Sequence, residues 1–82
     1  MSPRKTWARI EKGNLDVRFE DLLRLAYAFG YQLARRRGSH HILIHSELSL
    51  MLNLQPDDGK AKRYQVRQLV AAVQEHGLGL KR

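Results

Sequence analysis

Residues 31–55 read YQLARRRGSHHILIHSELSLMLNLQ. Three segments of strand character lie within it: Tyr31 to Arg36, His40 to His45 and Leu50 to Gln55. They are set apart by Arg37-Gly38-Ser39 and by Ser46-Glu47-Leu48-Ser49. The first break suits a tight turn and the second a short loop, which predicts three antiparallel strands. In the third segment Leu50, Leu52 and Leu54 alternate with Met51, Asn53 and Gln55, the pattern of one buried and one polar face. The second segment is less direct, because His40, Ile42 and Ile44 share one face while His41, Leu43 and His45 share the other. Counting apolar residues buries Ile42 and Ile44 and turns Leu43 outward.

Upstream, from Phe19 to Phe29, Leu22, Leu25, Ala26 and Phe29 fall on one helical face with Leu23 beside it. Gly30 follows where a helix C-terminus favours glycine. Downstream, from Arg63 to His76, Val66, Leu69, Val70 and Val73 form a second apolar stripe, closed by Gly77. His76 lies in the last turn, where a cation suits the helix dipole. The expected architecture is α+β, with the order helix, three-stranded antiparallel sheet, helix. Both helices would bury their stripes on one face of the sheet. Residues 17–82 form the domain, and residues 1–16 a short N-terminal lead with room for a short helix.

The chain has 82 residues, 15 Lys+Arg against 8 Asp+Glu, a formal charge of +7 and no cysteine. At this length a chain buries only about 60% of its unfolded surface, which leaves one modest core and no room for separate cofactor and substrate domains. The absence of Cys removes disulfides, thiolate zinc sites and cysteine nucleophiles together, and fits a reducing cytoplasm. No apolar run approaches the roughly 20 residues that span a bilayer, and no apolar signal core follows the basic start, so a soluble, unexported protein is expected. The surplus charge points to a polyanion, since clustered Lys and Arg release counterions from phosphates and steer association.

The histidines are the first candidates for chemistry. A neutral imidazole, with an ordinary pKa of about 6.5, can take and give a proton at working pH, as phosphodiester cleavage by a neighbouring hydroxyl requires. In Gly38-Ser39-His40-His41 the glycine admits close approach of a backbone or phosphate and Ser39 adds a hydroxyl. Arg35, Arg36 and Arg37 stand directly upstream to hold an anion. Filler histidines at the start of a strand fit the same pattern. A metal site is rejected, because His41 and His45 would lie roughly 13 Å apart at strand rise. A second basic cluster, with Lys60, Lys62, Arg63 and Arg67 around Tyr64, runs into the second helix. There free backbone N–H groups and the dipole also attract phosphate. An ordinary solvated helix start after an Asp57-Asp58-Gly59 turn is the plainer reading.

Four blocks in order, Val17-Arg18-Phe19-Glu20-Asp21-Leu22, Arg37-Gly38-Ser39-His40-His41-Ile42, Asn53-Leu54-Gln55, and Gly59-Lys60-Ala61-Lys62 with Tyr64-Gln65-Val66-Arg67-Gln68-Leu69, resemble the HicA family of toxins from prokaryotic toxin-antitoxin pairs. The resemblance runs from about Val17 to Leu78. It implies a fold like a double-stranded-RNA-binding domain and a metal-independent, cofactor-free endoribonuclease that cuts mRNA in the cytoplasm. A HicB-type antitoxin would silence it. The toxin would be monomeric when free and hetero-oligomeric with its antitoxin. The family's catalytic histidine falls on His40, with Gly38 as its associated glycine and Ser39 and His41 as further candidates. Arg35 to Arg37 and Lys60 to Arg67 would hold the RNA.

Members often carry proline at the positions of Arg63 and Ser46, a short capping residue at that of Glu20, and an aromatic at that of Leu43. Arg63 gives up a rigid helix start and adds a cation. An aromatic at the Leu43 position implies that this side chain faces the helices, which reverses the apolar count. It leaves His40, Ile42 and Ile44 on the open sheet face, where Ile42 and Ile44 would contact the antitoxin. Two other readings stand beside this one: a non-catalytic RNA-binding module on the same fold, and a DNA-binding protein. For the latter, Trp7-Ala8-Arg9-Ile10-Glu11-Lys12-Gly13 followed by Leu22 to Gly30 resembles the later part of a Cro/repressor-type helix-turn-helix domain. That motif needs two further helices before its recognition helix, and only six residues precede Trp7.

Overall fold

Helical and alternating periodicity are both realised in the computed structural model, which describes residues 1–80; Lys81 and Arg82, the end of the 17–82 domain, lie outside the described residues. The elements run α1 (Pro3–Glu11), α2 (Phe19–Ala28), β1 (Tyr31–Arg37), β2 (His40–His45), β3 (Met51–Leu54), β4 (Pro56–Asp57), β5 (Lys60–Ala61) and α3 (Arg63–His76). The fold is α+β, and β1, β2 and β3 form an antiparallel sheet in that order. No helix among the described residues is long and apolar enough to cross a membrane.

The lead contains α1, started by Pro3 in the first turn and by Ser2, whose side chain accepts from the Lys5 N–H at 3.3 Å. Trp7 of α1 meets Phe29 edge-on at 4.9 Å, and Ile10 enters the common core. In α2 the expected stripe is buried: Leu22, Leu25 and Ala26 are sealed from solvent. Glu20 and Asp21 in the first turn complement the dipole in place of a side-chain cap. The helix ends at Ala28 rather than Phe29, because Phe29 already leaves helical geometry as the cap and Gly30 takes φ +100°. α3 has the expected bounds, with Val66 and Leu69 sealed and Gly77 closing it at φ 63°.

The sheet presents Tyr31, Leu43, Leu52 and Leu54 to the stripes of α2 and α3 in one core. Leu43 is therefore inside, and Ile44, 39% exposed, is outside. The apolar count on β2 is overturned because the two histidines flanking Leu43 are buried without losing their polar partners. His45 donates from Nε2 to the Phe29 carbonyl at 2.9 Å, while its Nδ1 accepts the N–H groups of Glu47 and Leu48 at 3.1 and 3.2 Å. His41 donates from Nδ1 to the Ser39 carbonyl at 2.9 Å. Their ring bodies meet aromatic edges, His41 on Phe19 and His45 on Tyr31. Paired in this way, an imidazole tolerates burial that a lone polar group would not. Burial also pushes the pKa of the Tyr31 hydroxyl above its ordinary value, so the folded protein favours the neutral phenol.

Gly30 is the hinge of this arrangement. A Cβ there would stand 2.7 Å from His45 Nε2 on a backbone at φ +100°. Gly30→Ala should therefore cost about 2 kcal/mol through backbone strain and loss of the His45–Phe29 hydrogen bond. Thermal denaturation followed by circular dichroism should show a fall of about 10 °C.

The third strand is shorter than the expected Leu50 to Gln55. Ser49 adopts φ 54°, and the Leu50 carbonyl still accepts from His45 N–H at 2.8 Å. Arg37 extends the first strand by one residue. The expected Asp57-Asp58-Gly59 turn belongs to a small hairpin, β4 with β5, in which Asp58 and Gly59 both have positive φ as a type I′ turn requires. Two-residue strands carry too little periodicity to be seen in sequence. The hairpin is fastened to the start of α2, since Ala61 N–H donates to the Val17 carbonyl and Phe19 N–H to that of Gly59.

Candidate functional site

The two-residue turn between β1 and β2 places Gly38 at φ 58°, the position a tight hairpin reserves for glycine. His40 opens β2 directly after it and, by alternation with buried His41, stands exposed on the outer face. Its Nδ1 lies 3.2 Å from Oδ1 of Asn53 on β3. An amide oxygen only accepts, so this contact is a hydrogen bond when Nδ1 carries the proton, and in that tautomer Nε2 is left as an acceptor. Ser39 accepts at Oγ from Gln55 Nε2 at 3.1 Å. An imidazole, a hydroxyl and two carboxamides thus meet at one end of the open sheet face.

Strict alternation from Tyr31 would put Arg36 on that face. A bulge between Leu33 and Arg35 shifts the register, so that Arg35 pairs with Ile42 and Arg37 with His40. Directly paired residues share a face, which brings Arg35 and Arg37 onto the His40 side. Arg36 pairs with inward-facing His41 and donates from Nε to the Gly38 carbonyl at 3.2 Å. The bulge supplies two of the three arginines to the outer face and leaves the third to brace the turn.

The second basic group starts α3. Lys62 is its N-cap residue, Arg63 its first residue, and Arg67 lies exposed one turn on. Lys60, at the hairpin, is paired with Asp16 at 3.8 Å in full solvent, where such a contact adds little. Apart from Lys60, the cations expected to hold the anion have no acidic partner among the described residues. Gln65, 3% exposed, ties this helix start to β3. Its Oε1 accepts from Gln55 N–H at 3.1 Å, and its Nε2 donates to the Asn53 carbonyl at 3.2 Å and the Tyr64 hydroxyl at 3.3 Å.

Among the expected site residues, Gly38, Ser39, His40, Arg35 and Arg37 share one end of the outer face. Ile42 and Ile44 continue that face away from the turn, Ile42 opposite Asn53 and Ile44 opposite exposed Met51. His41 is on the other side of the sheet, against Phe19. Asn53, Gln55 and Gln65 were not among the expected site residues. Their signal was the placement of Asn53 and Gln55 on the polar side of an alternating strand, the side His40 also takes. No group of three or more His, Cys, Asp or Glu side chains among the described residues could hold a metal ion. No known family, characterised protein or solved structure matches this chain.

Proposed function

We propose that this protein is a metal-independent endoribonuclease of the HicA toxin type, acting on mRNA in the cytoplasm and held in check by an antitoxin protein. The observation that carries the reading is His40: exposed, with Nδ1 occupied by Asn53 and Nε2 free, on a face it shares with Arg35 and Arg37. The order helix, three antiparallel strands, helix supports it, being that of the double-stranded-RNA-binding-like fold the family resemblance implies.

In this reading Nε2 takes the proton of a ribose 2′-hydroxyl as its oxygen attacks the adjacent phosphorus. The O2′–P bond forms, the P–O5′ bond breaks, the 5′-oxygen leaves with a proton from water, and the imidazolium returns its proton to the hydroxide so formed. Arg35 and Arg37 hold the phosphate, and Lys62, Arg63 and Arg67 hold the strand further along. His41 serves the fold rather than the reaction. Half-buried Ile42 and exposed Ile44 and Met51 form an apolar ridge on the His40 face. A protein that covers this ridge also closes His40, which is how the antitoxin would act.

The test is incubation of purified protein with an RNA and with single-stranded DNA of the same sequence, each with and without EDTA. Only RNA should be cut, to the same extent in EDTA, with fragments ending in 2′,3′-cyclic phosphate and 5′-hydroxyl groups, since DNA lacks the attacking hydroxyl. Cutting of DNA, or loss of cutting in EDTA, would overturn the mechanism. Salt-sensitive binding of RNA without cleavage would establish the non-catalytic module instead, and retention of duplex DNA alone the repressor-like reading.

A further inference from the structure

We infer that Asn53 is the positioning residue of His40, resting on the reading of His40 as the base: its carboxamide selects the imidazole tautomer that leaves Nε2 able to accept a proton. An exposed histidine at the start of a strand can turn about its side-chain bonds and carry its proton on either nitrogen. Only one of those states offers an acceptor at Nε2. The 3.2 Å contact between His40 Nδ1 and Asn53 Oδ1 ends that freedom, because the oxygen accepts only when Nδ1 is protonated. An uncharged amide does this without the field of a carboxylate, which would favour the imidazolium and remove the base at neutral pH.

Asn53 is itself held. It stands opposite Ile42 in the β2–β3 register, and its carbonyl accepts from Gln65 Nε2, while the next outward residue, Gln55, donates its N–H to Gln65 Oε1. Gln65 is buried in the first turn of α3, so the helix fixes the strand, the strand fixes Asn53, and Asn53 fixes the ring. The Tyr64-Gln65 pair thereby acquires a purpose that neither its charge nor its hydropathy suggests.

The experiment has two parts. Nitrogen-15 NMR of the imidazole rings reads the tautomer directly and needs no catalysis. His40 should be in the Nδ1–H form in the unaltered protein and should lose that preference in Asn53→Ala. Steady-state cleavage of a short RNA then reads the consequence. Asn53→Ala should lower kcat about ten- to a hundred-fold with KM little changed, the scale expected when a reacting group is misplaced. Asn53→Asp should favour the imidazolium through its charge and move the acid limb of the kcat/KM profile about one unit toward higher pH. A role confined to stability would move neither tautomer nor pH profile. His40 in the Nε2–H form, an unchanged kcat in Asn53→Ala, or an unmoved limb in Asn53→Asp would each overturn the inference. If the tautomer responds to Asn53 as stated but the unaltered protein cuts no RNA, the coupling stands and the ribonuclease reading fails.

Discussion

His40→Ala should lower RNA cleavage on the order of 10²- to 10⁴-fold, the contribution of a positioned general acid/base, and should relieve growth arrest when the protein is expressed without a partner. The fold should survive. His40 is exposed, its one hydrogen bond is to another exposed side chain, and no core residue leans on it. Melting should stay within a few degrees of the parent, as for surface changes generally. His41→Ala provides the contrast. That ring is buried against Phe19 and bonded to the Ser39 carbonyl, so its loss should lower the melting temperature first and affect cleavage through the shape of the turn. A folded His40→Ala protein that still arrests growth and cuts RNA would overturn the assignment of the base.

Leu43→Ala should cost about 3 kcal/mol, while Ile44→Ala next to it costs under about 1 kcal/mol. Leu43 has no exposed surface and sits in the core formed by the sheet with α2 and α3, so its truncation loses burial and leaves a cavity. Ile44 keeps 39% of its surface in water on the opposite face. In a domain of this size the first change should lower the melting temperature by about 12 °C or more and the second by a few degrees. Urea denaturation with a shared slope would convert both to stability. Equal losses, or a larger one at Ile44, would mean that the apolar count had identified the buried face after all.

The helices were legible because a stripe repeated over ten to fourteen residues is redundant: one misread position among Leu22, Leu25 and Ala26, or among Val66, Leu69 and Val73, leaves the pattern intact. The second strand has six residues and an alternation whose two faces differ by a single aliphatic side chain. There a local count is decided by partners that lie elsewhere in the chain. Histidine is also the residue whose burial is hardest to foresee, being apolar in its ring and polar at two points.

The candidate site divides along the same line. Gly38, Ser39 and His40 are contiguous, and their grouping at a turn could be read from their types and order. The cations could be counted but not aimed, because one bulge near Ala34 decides which of three successive arginines face the turn's outer side. Asn53 is thirteen residues from the ring it holds, and Gln65 a further twelve from Asn53.

By itself the sequence determined the class of fold, the bounds of the last helix, the glycine turn and the histidine beside it, because each depends on neighbours within one turn or one strand. The tertiary structure alone decided which face of β2 is buried, which arginines accompany His40, and that an asparagine on the adjacent strand lies within hydrogen-bond reach of its ring. Those outcomes depend on register and on backbone partners such as the Phe29 carbonyl, and a hydrogen bond across the sheet leaves no periodicity in the chain.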